Sequence, residues 1–222
     1  MEAERAYLAE LVEKLQGILG ASLVGVYVGG SWALGGYEPP DSDLDVAVVI
    51  REPLSDEGAD RLVAAFRHEA FPCPARGLEL VVYTWESAAS GTTNPGFELN
   101  LNTGARLTFR ADREPQPGER HWFAVDRSVL AAHGIALRGP PAAEVFAPIA
   151  ADDLRPVLAD VLRWYEREAP ESDDAILNAG RSLRFVREGV WLPKPALRAW
   201  AAGQPGTNEE ILACTIAELE AG

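Results

Sequence analysis

The chain has 222 residues, 47% of them hydrophobic and 24% charged, enough for one large or two small globular domains. Its formal net charge is −14, with only two lysines, which argues against a nucleic-acid partner and is compatible with a cationic small molecule. Cys73 and Cys214 stand alone without metal or disulfide spacing, the N-terminus lacks an apolar signal core, and no apolar run approaches a membrane span, so the expectation is a cytoplasmic protein with no membrane partner.

Tyr7, Leu8, Leu11, Val12, Leu15, Ile18 and Leu19 recur at helical spacing, and Gly20 ends the run. Two short apolar runs follow, Leu23–Val28 and Leu44–Ile50, both rich in β-branched residues and read as buried strands. Ser55 is placed to cap a helix reaching about Ala70, with Leu62, Val63 and Phe66 inward, and Pro72 and Pro74 break the chain after it. Leu78–Tyr83 reads as a third strand. Residues 91–118 are rich in Gly, Pro and Asn, and predict a loop with one further strand near Leu107–Phe109.

Helices dominate the remainder. One is expected over Phe123–Ala132, and one capped by Asp152 or Asp153 runs to about Glu168. Another is capped by Ser172 and ends at Gly189, and two shorter ones lie near 195–202 and 208–219. Strands first and helices last predict an α+β fold, with a domain over residues 1–145 and a helical domain over 146–222; the boundary lies near the cluster Pro140, Pro141 and Pro148. Trp164, Tyr165 and Trp191 read as core aromatics. His68 is expected exposed on a helix, and no Ser–His–acid spacing suggests a hydrolase.

The chemistry concentrates between the first two strands. Gly29-Gly30-Ser31 follows the first strand, and Asp43 and Asp45 open the second. Residues two apart on a strand point to one face, so both carboxylates are expected together. Two hard oxygen ligands suit Mg²⁺, which can neutralise charge in phosphoryl transfer. Glycine lets backbone N–H groups approach a phosphate, and Ser31 adds a hydroxyl. The alternative is a hairpin with a solvated acidic loop. Glu79 lies inside the third apolar strand, where a charge is costly to bury unless paired or metal-bound. If the third strand lies beside the second, Glu79 can face Asp43 and Asp45 and serve as metal ligand or general base. On an edge strand it would simply face water.

Leu23–Ser31, Leu34-Gly35-Gly36, Ser42-Asp43-Leu44-Asp45 and Leu78-Glu79-Leu80 together resemble an aminoglycoside nucleotidyltransferase, of the streptomycin/spectinomycin 3″-adenylyltransferase kind. The likeness continues through Ala136-Leu137-Arg138-Gly139-Pro140, Glu144–Ile149, Asp153-Leu154, Arg181 and Lys194. It implies a polymerase-β-like nucleotidyltransferase domain followed by a helical substrate-binding domain. It further implies transfer of AMP from ATP to a hydroxyl of a cationic aminoglycoside or aminocyclitol, releasing pyrophosphate, in a monomer. Carried over by position, Asp43 and Asp45 would hold Mg²⁺ and Glu79 would be metal ligand and base. Gly30, Ser31 and Ser42 would lie at the phosphates, and Arg181 and Lys194 would reach the triphosphate. Streptomycin-accepting members carry a tryptophan in the mid-chain segment, where this chain reads Glu98-Leu99-Asn100-Leu101-Asn102-Thr103. That departure favours spectinomycin over streptomycin as acceptor. The other readings are an antitoxin-like interaction protein on the same fold, and an adenylyltransferase acting on a non-antibiotic acceptor.

Overall fold

The computed structural model describes residues 1–116 and 118–221. They form two compact units. The first comprises Met1–Ser90, Gly96–Gln116 and Arg127–Pro148; the second comprises Gly91–Pro95, the segment through Asp126, and the chain from Ile149 onward.

In the first unit, helix α1 (Glu2–Leu19) ends at Gly20, whose φ of 55° favours glycine. Strand β1 (Leu23–Val28), the one-turn helix α2 (Gly30–Ala33) and β2 (Leu44–Ile50) follow. Ser55 Oγ accepts from Gly58 N at 3.1 Å and so caps α3 (Asp56–Phe66) as expected. This helix is shorter than the sequence predicts. Arg67 turns extended, the His68 N–H donates to Thr103 Oγ1 at 2.8 Å, and Phe71 folds back to stack on Tyr7 at 4.2 Å. His68 therefore lies beyond the helix, half-buried, its Nδ1 accepting from Cys73 N at 3.3 Å.

Strand β3 (Leu78–Thr84) and the one-turn helix α4 (Trp85–Ala88) precede a hairpin of β4 (Phe97–Gly104) and β5 (Leu107–Asp112). The sequence reading missed β4. Its period-2 pattern is plain in retrospect, with Phe97, Leu99, Leu101 and Thr103 buried and Glu98, Asn100 and Asn102 half-buried. Helix α5 (Arg120–His133) leads to β6 (Ile135–Arg138), also unforeseen, whose identity as a strand comes only from pairing with β1. The one-turn helix α6 (Ala142–Val145) follows.

Among the described residues the strands form one mixed sheet in the order β5-β4-β3-β2-β1-β6. β2 and β3 are parallel, joined through α3; the other neighbouring pairs are antiparallel. One face carries Leu44, Val46, Val48, Ile50, Leu78, Leu80, Val82, Leu99 and Leu101, packed with the inner residues of α1 and α3 into the main core. At about 25 cal/mol per Å² of apolar surface, burying each of these large side chains contributes roughly 1.5–3 kcal/mol.

The second unit is helical: α7 (Ala151–Glu168), α8 (Asp173–Glu188), α9 (Lys194–Ala201) and α10 (Asn208–Ala221). Asp152 and Asp153 are not caps. Ala150 holds that position, and both aspartates lie in the first turn, where a negative charge faces the positive end of the helix dipole. Gly189 ends α8 in the left-handed region, at φ 70°. Trp191 is buried and stacks on Phe185 at 4.1 Å, as expected of a core aromatic. Trp164 and Tyr165 are not core residues: both are half-buried and join Trp122 in an edge-to-face cluster with centroids 5.1–6.0 Å apart.

Candidate active site on the open sheet face

Among the described residues of the first unit, those that cover the second face of the sheet lie at one end of it. Phe146 meets the edges of Tyr27 and Tyr83, at 5.2 and 6.4 Å. Arg127, 2% exposed, lies over the Tyr83 ring and donates to the Ser87 carbonyl at 2.7 Å and to Ser90 Oγ at 3.2 Å. Towards the start of β2 and β3 this cover ends. The residues there, Asp45, Glu79, Val81, Asn100 and Asn102, are all half-buried.

Register assembles the acidic residues. Asp45 on β2 is the partner of Glu79 on β3, Glu79 of Asn102 on β4, and Asn102 of Arg110 on β5. Partners on adjacent strands project to the same face, with Cβ atoms about 5 Å apart. Glu79 therefore occupies an interior strand directly beside Asp45, and the edge-strand alternative is excluded.

The Gly-Ser turn folds onto the same corner. Gly29 N donates to the Asp45 carbonyl at 2.9 Å, tying the end of β1 to the start of β2. Gly30 has φ 50°, and a Cβ there would fall on Asp45 Oδ2 and 3.0 Å from Asp45 Cβ. The Asp45 side chain thus lies directly against the glycine backbone, which accounts for glycine here on both conformational and steric grounds. Ser31 Oγ is buried at this turn with no hydrogen-bond partner.

Asp43 precedes the strand, since β2 begins at Leu44, so the expected pair on one strand face is instead one strand residue and one loop residue. The Asp43 carboxylate lies 3.4 Å from the Arg76 guanidinium. Ser42 spends its hydroxyl oxygen locally, accepting from Glu38 N at 3.0 Å, while its carbonyl accepts from Arg76 N at 3.1 Å. Arg106 reinforces that loop through the Pro40 carbonyl and through Asp41 at 3.1 Å. Among the described residues, no three His, Cys, Asp or Glu side chains are gathered closely enough to form a protein-only metal cage. The three carboxylates do not form the closed cluster that a fully protein-coordinated ion needs. The donor set at this corner is nevertheless all hard oxygen, of the kind Mg²⁺ takes when substrate phosphates complete its shell.

In the second unit, polar residues of α8 form a connected network. Asn178 Nδ2 donates to the Asp174 carbonyl at 2.8 Å and to Tyr165 Oη at 3.1 Å, and Arg181 donates to Asn178 Oδ1 at 3.4 Å. Lys194 pairs with Asp174 at 3.0 Å. Burial, with Asp174 nearby, pushes the Tyr165 hydroxyl up to about 12, so it stays protonated. His121 is buried against the Trp122 ring, its Nε2 unpaired, and burial pulls its pKa below the usual value. Neither Tyr165 nor His121 had a functional signal in the sequence; both depend on contacts between distant segments.

No family model matches the chain. Curated relatives are spectinomycin 9-adenylyltransferases of Staphylococcus aureus, strains Mu50 and N315, each 24% identical over 189 residues, covering 83% of this chain and 72% of the relative. Their name carries the 9 position where the motifs suggested the 3″ kind. A crystal structure of spectinomycin adenyltransferase AAD(9) from Enterococcus faecialis with ATP and spectinomycin superposes with a TM-score of 0.69 at 18% identity, covering 97% of this chain and 89% of that one. No helix among the described residues is long and apolar enough to cross a membrane. The chain therefore has the α+β fold of the spectinomycin adenyltransferases and is similar in sequence to that kind of aminoglycoside nucleotidyltransferase along most of its length.

Proposed function

We propose that this chain transfers AMP from ATP to a hydroxyl of an aminocyclitol antibiotic, with spectinomycin the favoured acceptor, and releases pyrophosphate. The observation that carries this reading is the parallel register of β2 and β3, which sets Asp45 beside Glu79 on an open face against the Gly30-Ser31 turn. The similarity to spectinomycin adenylyltransferases and to an ATP- and spectinomycin-bound structure supports it.

In the reaction, the acceptor oxygen bonds to the α-phosphorus, and the bond from that phosphorus to the bridging oxygen of pyrophosphate breaks. The hydroxyl proton passes to a base. Glu79 fits that role, being an acceptor-only carboxylate on a rigid interior strand. Asp45 and Asp43 are the residues that would hold Mg²⁺, which when bound supplies charge neutralisation at the phosphates. Ser31, whose buried hydroxyl has no protein partner, is suited to a phosphate oxygen, as are the backbone groups at Gly30. Ser42 acts more by shaping the loop before Asp43 than by direct contact. Arg181 and Lys194 on the second unit are proposed as triphosphate contacts, and the net charge of −14 favours a cationic acceptor over nucleic acid.

The test is incubation of the purified chain with α-labelled ATP and Mg²⁺, with spectinomycin and streptomycin as separate acceptors and the product identified by mass. Adenylylated spectinomycin supports the reading, and Glu79→Gln then lowers the single-turnover rate by roughly 10²–10⁴. Asp43→Asn or Asp45→Asn abolishes transfer while the fold survives. Label transferred to protein, or to neither drug, overturns the antibiotic acceptor.

A further inference from the structure

The row that carries Asp45 and Glu79 does not end with them. Its next member, Asn102, stands beside Glu79 on β4, about 5 Å away by the spacing of register partners. Its orientation is fixed by the core: Leu101 and Thr103 on either side are 0% and 2% exposed, so Asn102 faces the open side with Glu79. From this placement we infer that Asn102 is the acceptor-positioning residue of this site, donating its amide N–H to the hydroxyl oxygen that Glu79 deprotonates. The inference rests on the adenylyl-transfer reading and deepens it.

The chemistry of a hydroxyl requires two different partners. Its one proton must point to the base, one lone pair must be aimed at phosphorus, and the other lone pair needs a donor to hold it. A carboxylate only accepts, so Glu79 cannot fix both ends. The neutral amide beside it supplies the donor without adding charge.

The row continues beyond Asn102 onto β5. The next residue in the row is Arg110, whose Nε and a terminal nitrogen lie 3.2 and 3.0 Å from Asp112 Oδ2. Asp112 is itself held by Gln116 at 3.0 Å. Asn102 therefore lies between Glu79 and Arg110 in the register of the sheet. Asn100, the next outward residue on β4, lies between Val81 and Asp112 and extends the same neutral polar surface. A compact, hydroxyl-rich ring matches such a surface.

The test uses the full-length chain with MgATP and spectinomycin, and compares Asn102→Leu and Asn102→Asp with wild type. Asn102→Leu raises the spectinomycin KM at least about tenfold and leaves the ATP KM within about twofold. Asn102→Asp keeps the shape but replaces the amide N–H donor with an acceptor-only carboxylate, so it raises the spectinomycin KM in the same direction and again leaves the ATP KM within about twofold. A purely structural role does not separate the two constants. If Asn102→Leu fails to fold, the nearly isosteric Asn102→Asp still decides. Wild-type transfer with unchanged spectinomycin KM in the variants overturns this inference alone. Absence of AMP transfer by the wild type overturns the function on which it rests.

Discussion

Gly30→Ala isolates the link between backbone geometry and chemistry. Gly30 has φ 50°, and an added Cβ would fall on Asp45 Oδ2. The left-handed conformation alone costs a non-glycine residue about 1–2 kcal/mol. Gly189, at φ 70° with no atom within 4 Å of its would-be Cβ, provides a control with backbone cost and no collision. In a chain of this size each kcal/mol lowers Tm by about 2–4 °C, so both variants fall by about 2–8 °C. Only Gly30→Ala must also displace the Asp45 carboxylate. A misplacement on the order of 1 Å in a reacting constellation costs about 10²-fold, equivalent to about 2.7 kcal/mol of transition-state stabilisation. The assay is pyrophosphate release with MgATP and spectinomycin, alongside thermal melts of both variants. A Gly30→Ala enzyme whose kcat/KM lies within about threefold of Gly189→Ala would refute the reasoning, because Asp45 would then tolerate displacement from the turn.

Arg181→Ala and Lys194→Ala each raise the ATP constant by about tenfold to a hundredfold, as expected for loss of a charged triphosphate contact; unchanged ATP titrations in both variants would remove α8 and α9 from the nucleotide site. Burial lowers the pKa of His121 below 6.5, with Asp160 and Glu119 opposing and Arg167 assisting, so the unfolded chain takes up its proton first as pH falls. The stability from the neutral imidazole is complete above pH 6.5 and is lost as pH drops from there through the folded-state value. Urea melts at pH 7.5 and 5.5 accordingly show a larger loss for wild type than for His121→Gln. Arg127→Met leaves the Ser87 carbonyl without its 2.7 Å donor and costs about 1–3 kcal/mol, read from the shift in urea midpoint.

The sequence by itself determined most of the local elements and the identity of the candidate reactive groups. Leu23–Val28 and Leu44–Ile50 are strands over the bounds their β-branched runs mark, because burial on both faces selects such residues. Gly20 and Gly189 end helices where a positive φ is needed, and Ser55 caps α3. The Gly-Ser turn and the acids Asp43, Asp45 and Glu79 were legible because hard-oxygen chemistry needs those residue types. What the sequence left open was adjacency. Whether Glu79 faced water or Asp45 depended on which strand lay beside β2, a long-range pairing that no local propensity encodes. β4 was hidden because its polar half, Asn100 and Asn102, consists of poor strand formers, tolerated there by the neighbours they face across β3 and β5. β6 is a strand only because β1 offers it an edge, and Asp43 falls outside β2 because the loop from Glu38 to Ser42 is closed by its own hydrogen bonds and by Arg106. Tertiary structure decided which side chains share a face, since a side chain's neighbours across a sheet come from residues tens of positions away in the chain.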